Sequence, residues 1–428
     1  MSEELSLVAT PHRTILPALP TPQQAYVLIE VLPLVPAPEV EASPVNLCLV
    51  LDRSGSMAGA KLRAMKAAAK QVVDRLGPQD WLAVVVFDDA SPADLVISSG
   101  RMLDQEAARR KIEAVEERGG THMATGMRLG LEELRRSHHP QLVSAMLLLT
   151  DGQTWEDAED CRDLARQCQD AGIPIHVLGL GVGEEGNWDP KLLEDLAQIS
   201  GGEWMPVEAP EQVSRAFENT LSAIKGAAAT HAQLTMRFVQ GVTTRAVWRV
   251  TPLISRLDSH SGAMNDIQVF LGDIQHGTGQ AILVDLVLPS RAAGVYRLMQ
   301  ADVIYNVPGS GLTDQKTAAD LVLSFVEDTT QVGPLNERLM NLVERVIAHK
   351  LQAQALDEAA AGDAARATQR LRAAATRLLE LGEVEMAQQT SQQAEQLEQT
   401  GQLDLAASQK MRYATKRLTE TDIHKDKP

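Results

Sequence analysis

Between residue 45 and about residue 225 the sequence alternates two periodicities, and this alternation limits the possible folds more than any other feature. Continuous apolar runs of strand length at 45–51, 81–87, 143–150 and 173–180 are separated by segments with helical spacing. Uninterrupted apolar strands suit a parallel sheet covered on both faces. The helical segments lie near 59–76, 105–117, 123–136, 157–171, 189–200 and 211–225. In the first of them Leu62, Met65, Ala69, Val72, Val73 and Leu76 share one face. Such repetition predicts parallel βαβ units wound on both sides of one sheet. A short edge strand is expected over 94–97.

The flanks read differently. Residues 1–44 contain eight prolines, with one strand between them at 25–32 and a connector from 33 to 44. After Gly226, segments 233–238, 245–250, 266–271, 279–288, 295–305 and 319–325 alternate apolar and polar residues between turn formers, as an antiparallel sheet or sandwich does. Strand 25–32 has no partner in the α/β logic and is expected to join this later sheet. From Leu335 a helical stripe runs through Leu339, Leu342, Val343, Val346 and Ile347. Gly362, Gly382 and Gly401 then recur at spacings of 20 and 19, each placed to end a helix. The expected class is multidomain α/β. A doubly wound, mostly parallel domain (45–226) is inserted in a β-sandwich (1–44 and 227–330), and a helical bundle follows (331–428).

Composition bounds the function. The formal net charge is −17 with a pI near 5.1, which argues against a non-specific binder of nucleic acid or anionic membrane. Three cysteines, Cys48, Cys161 and Cys168, without CxxC spacing, argue against a disulfide framework. The acidic N-terminus does not resemble a signal peptide, and no apolar run approaches the ~20 residues of a membrane span. A reducing, cytoplasmic setting is the expectation.

The candidate site is Asp52-Arg53-Ser54-Gly55-Ser56-Met57, which follows the first buried strand and precedes the first helix. An acid and two hydroxyls at alternate positions form an oxygen-rich turn suited to a hard divalent cation. In open α/β sheets, ligands bind at the carboxyl ends of the strands. Residues 45–225 resemble a von Willebrand factor A domain. The first turn matches the DxSxS signature of the metal-ion-dependent adhesion site, Gly119-Gly120-Thr121 matches its threonine loop, and Leu147 to Gly152 matches its aspartate loop. Gly179 to Gly183, Leu192-Leu193 and Gly201-Gly202 fit its later elements. The resemblance implies that Ser54, Ser56 and Thr121 offer hydroxyls to Mg²⁺ or Mn²⁺, with Asp52 and Asp151 approaching directly or through water. It further implies a coordination position left for a Glu or Asp carboxylate of a protein partner. For a bacterial cytoplasmic relative, it suggests association with a MoxR-type AAA+ ATPase.

Other candidates are weaker. Gly179-x-Gly181-x-Gly183 lacks the GxGxxG spacing of a dinucleotide loop. His122 reads as a helix-start residue pointing to solvent or as a rim group. His138-His139 close a helix. Asp88-Asp89 read as a solvated turn or as acids on the rim. Trp155 is either an aromatic contact on the upper face or core. Cys161 and Cys168, seven apart on a helix, are expected to be buried. The leading expectation is a non-enzymatic, cation-dependent protein-binding module. A metal-dependent hydrolase, with His122 or Asp88 as base, and an extracellular adhesion protein are the alternatives.

Overall fold

The structure is a computed structural model and describes residues 4–34, 43–90, 92–151, 156–181, 190–257, 260–261, 266–403 and 405–419. Three strands come first: β1 (Leu5–Pro11), β2 (Ile15–Pro17) and β3 (Gln23–Pro33). The α/β segment then runs β4 (Val45–Asp52), α1 (Ala60–Arg75), β5 (Trp81–Phe87), β6 (Asp94–Arg101), α2 (Gln105–Glu113) and α3 (Met123–Arg136). It continues with β7 (Val143–Thr150), α4 (Ala158–Asp170), β8 (Ile175–Leu180), α5 (Pro190–Ser200), β9 (Trp204–Val207) and α6 (Val213–Lys225).

These strands form one sheet in the order β6-β5-β4-β7-β8-β9, parallel except for β6, which runs antiparallel to β5. The period-2 pleat of β4 sends Leu47, Leu49 and Leu51 into a core with α1, α2 and α6, and Cys48 and Val50 into a second core with α3, α4 and α5. Fully burying each such leucine contributes about 1.5–3 kcal/mol relative to exposure. The chain leaves β4 toward β5 on one side and β7 flanks the other, so the strand order reverses at β4. That is the crevice in which doubly wound sheets place ligands. Helix α3 lies close to the sheet because Gly126 and Gly130 face it. A Cβ on Gly130 would stand 2.7 Å from Val50 Cγ2.

Beyond the α/β segment come β10 (Ala227–Phe238), β11 (Thr243–Thr251), β12 (Ser255–Arg256), β13 (His260–Ser261) and β14 (Asp266–Gln275). They are followed by β15 (Gln280–Leu288), β16 (Gly294–Val307) and β17 (Leu312–Val326). Two sheets result, β1-β3-β15-β11-β12 and β13-β14-β10-β16-β17-β2, joined by a shared apolar core. Strand β3 pairs antiparallel with β15, Ile29 opposite Ile282, so strands from before and after the α/β domain lie side by side. The N-terminal segment holds more than the one expected strand. Leu5, Leu7 and Pro11 of β1 are buried, while β2 is only three residues long and adds a parallel edge to β17.

Four helices end the described chain: α7 (Glu337–Ala360), α8 (Ala364–Glu380), α9 (Val384–Thr400) and α10 (Leu405–Lys416). Gly362, Gly382 and Gly401 adopt φ of 85°, 81° and 70°, the left-handed geometry that closes each preceding helix. Helix α7 lays Leu339, Leu342, Val343 and Val346 over Leu28, Val250 and Leu283 of the five-stranded sheet. Helix α10 then returns to the α/β domain. There Lys416 and Arg412 (2.8 Å) both pair with Glu194 of α5.

Candidate metal centre

Asp52 ends β4 fully buried. One carboxylate oxygen accepts the Ser54 N–H at 2.8 Å, which closes the turn; the other accepts the Thr150 hydroxyl at 2.7 Å. Ser54 is buried, Ser56 is exposed, and their hydroxyl oxygens lie 3.0 Å apart. The next residue after Thr150 is Asp151, 3% exposed, and neither of its carboxylate oxygens takes part in a hydrogen bond. Burial, followed by the charge of Asp151, pushes the Asp52 pKa up to about 6, against hydrogen bonds from Ser54 and Thr150 that lower it. Two strand ends thus force two carboxylates and a pair of hydroxyls together, with one carboxylate lacking donors.

Thr121 is carried by the loop before α3. That loop is pinned to the first turn: the Gly55 N–H donates to the Gly119 carbonyl (3.0 Å) and the Arg118 N–H to the Arg53 carbonyl (2.9 Å). On the other side of Thr121, the His122 N–H donates to the Asp88 carbonyl at 2.8 Å. These contacts hold Thr121, half-buried, between two anchored neighbours. Among the described residues no group of three or more His, Cys, Asp or Glu side chains assembles. The site is a hydroxyl-and-carboxylate arrangement, the donor type that suits Mg²⁺ or Mn²⁺.

Several contributors are not evident from the motif alone. Asp88 is buried rather than part of a solvated turn, because Arg53 (2.8 Å) and Arg118 (2.9 Å) donate to it; Asp89 beside it is exposed. Burial acts to raise the Asp88 pKa, but the Ala90 N–H and both guanidinium groups outweigh it and hold the carboxyl below its usual range. Arg53 also reaches Asp94. The register sets Asp52 beside Phe87, so Arg53 and Asp88 follow neighbouring strand ends and meet there. Asp157 is buried and accepts the Ala124 N–H at 2.6 Å at the start of α3, with His122 at 3.8 Å. Lys61, in the first turn of α1, stands 3.6 Å from Asp151. Trp155, Gly152 and Gly183 lie outside the described residues. His138 packs edge-on to His231 at 6.2 Å, and all three cysteines are free and buried.

Residues 46–219 match the von Willebrand factor type A domain, and residues 337–421 match the Sll0103-like, C-terminal alpha-helical domain. The uncharacterized protein sll0103 of Synechocystis sp. is 30% identical over 276 residues, which cover 63% of this chain and 64% of that protein. Inter-alpha-trypsin inhibitor heavy chain H3 of Rattus norvegicus is 28% identical over 178 residues, 37% of this chain but only 18% of its own length. The chain therefore spans less than two thirds of these relatives. Among solved structures, a von Willebrand factor type A protein from Catenulispora acidiphila shares the fold over 96% of both chains, with a TM-score of 0.78 and 19% identity. The ArnB paralog VWA2 from Sulfolobus acidocaldarius covers 97% of this chain and 99% of its own, with a TM-score of 0.57 and 14% identity. Among the described residues no helix is long and apolar enough to cross a membrane.

Proposed function

We propose that the chain is a non-enzymatic protein-binding module that captures an acidic side chain of a partner through a divalent cation. The observation that carries the reading is Asp151. Its carboxylate is buried and takes no hydrogen bond, beside a second buried carboxylate and two hydroxyls. A buried carboxylate without hydrogen-bond donors, with the Lys61 ammonium no nearer than 3.6 Å, is costly, and a divalent cation would satisfy it more fully. Asp52, Ser54, Ser56, Thr121 and Asp151 would hold Mg²⁺ or Mn²⁺, which supplies a positive centre for an incoming carboxylate. Neutral hydroxyls among the donors leave that centre under-neutralised. Of the side chains weighed as bases for hydrolysis, Asp88 is engaged with two arginines, and His122, part-exposed, has Asp157 at 3.8 Å.

We read the two β-sheets as the scaffold in which the α/β domain is inserted, on the strength of the β3–β15 pairing. Three free, buried thiols accord with a cytoplasmic setting, and a MoxR-type AAA+ ATPase is the partner class brought by the resemblance. The test is capture from lysate of the source cell, in Mg²⁺ against chelator, by the natural chain and by Asp52→Ala. Capture is expected only with Mg²⁺ and only by the natural chain, both proteins having the same circular dichroism spectrum. Capture that survives chelation and the substitution sinks the reading.

A further inference from the structure

We propose that Lys61 is a built-in counter-cation of the Asp52–Asp151 pair, which a divalent ion must displace to load the site. The inference rests on the metal-binding reading above. The Lys61 ammonium stands 3.6 Å from an Asp151 oxygen, with the lysine side chain 16% exposed and the aspartate side chain 3%. A cation in this place is otherwise disfavoured. Lys61 is the second residue of α1, where the helix dipole presents its positive end, and the first turn of α1 contains no acid. What favours a cation here is the presence of two buried carboxylates, Asp52 and Asp151, at adjoining strand ends.

Lys61 and Arg53 meet their carboxylates differently. Arg53 grips Asp88 with its planar fork, in contact through both Nε and a terminal nitrogen. Lys61 stands 3.6 Å from Asp151 and acts there as a compact point charge. The two carboxylates carry a charge of −2, so the ammonium leaves the unloaded pair at −1. When a divalent ion is held by Asp151, the same ammonium becomes a like charge at close range. Loading is therefore an exchange of cations, and Lys61 sets the affinity: it weakens binding of the ion and protects the unloaded fold from two facing carboxylates.

The experiment is calorimetric titration of the full chain with Mn²⁺ in dilute buffer at pH 7.5. The proteins compared are the natural chain, Lys61→Met, Lys61→Arg and Asp52→Ala, with thermal melts of each in chelator and in saturating Mn²⁺. Lys61→Met is expected to bind Mn²⁺ about tenfold more tightly, the order expected for removing one like charge at this range. Lys61→Arg is expected to stay near the natural affinity. Lys61→Met is also expected to melt below the natural chain in chelator, with the gap closing in Mn²⁺. Unchanged or weaker Mn²⁺ binding by Lys61→Met overturns the proposal, since Lys61 would then position Asp151 rather than compete for it. A natural chain that binds no Mn²⁺, or one that binds it equally well as Asp52→Ala, instead overturns the metal-site reading and the exchange with it.

Discussion

At the scale of single residues the chain keeps its costly groups where neighbours or burial define their state. Asp52 is ordered by Ser54 and Thr150, Asp88 by two arginines, and Asp151 by no hydrogen-bond donor. His176, inside β8, is a histidine kept neutral by burial, which pushes its pKa down to about 4. Its folded value lies below the unfolded one, so the unfolded chain takes up the proton first. The stability gained by keeping it neutral is whole above about pH 6.5 and is lost as pH falls toward 4. The loss is at most about 3 kcal/mol. Urea unfolding at pH 7.5 and 4.5 should show a smaller acid loss for His176→Gln than for the natural chain.

At the scale of elements, α3 is set by two glycines four residues apart on the face toward the sheet. At Gly130 a methyl would stand 2.7 Å from Val50 Cγ2 and 3.2 Å from Met146 Cε, atoms of two central strands. Gly130→Ala should therefore overpack the core and destabilise by about 1–3 kcal/mol, despite the better helix propensity of alanine. A chemical-denaturation midpoint at or above that of the natural chain would contradict this. Elements with strong periodicity were legible in sequence: α1, α3, β4, β5 and β7 fall within a few residues of their expected limits. Strands β1, β2 and β9 were not. They are short or lie at edges, and their pairing partners, β3, β17 and β8, supply the order that their own sequences lack.

At the scale of the whole molecule, Glu194 of the α/β domain carries two ion pairs to the helical region. Glu194 is held ionised because Lys416 and Arg412 outweigh the burial that would raise its pKa. Nearby, the Ile254 N–H donates to the Lys416 carbonyl at 3.0 Å, and Tyr413 packs edge-on to Trp204 at 6.0 Å. Glu194→Gln would leave the buried Lys416 and the partly exposed Arg412 without their carboxylate, a change expected to cost about 1–3 kcal/mol. Hydrogen exchange should then show faster exchange across α10 while the amides of β4 and β7 stay protected. Unchanged protection of α10 would show that the apolar contacts hold it without the ion pair.

The sequence by itself determined the α/β class and the order of its main elements, which depend on local periodicity written in consecutive residues. It also marked the oxygen-rich turn at Asp52 to Ser56, while Thr121 and Asp151 entered the proposed site through the family resemblance. The tertiary structure decided what those residues face. It set Lys61 beside Asp151, buried Asp88 under two arginines, paired β3 with β15, and brought Lys416 to Glu194 across 222 positions of sequence. The physical reason is that burial and charge pairing belong to neighbours in space. Two strand ends and one helix start, each ordinary alone, become a charged site only where the sheet brings them together.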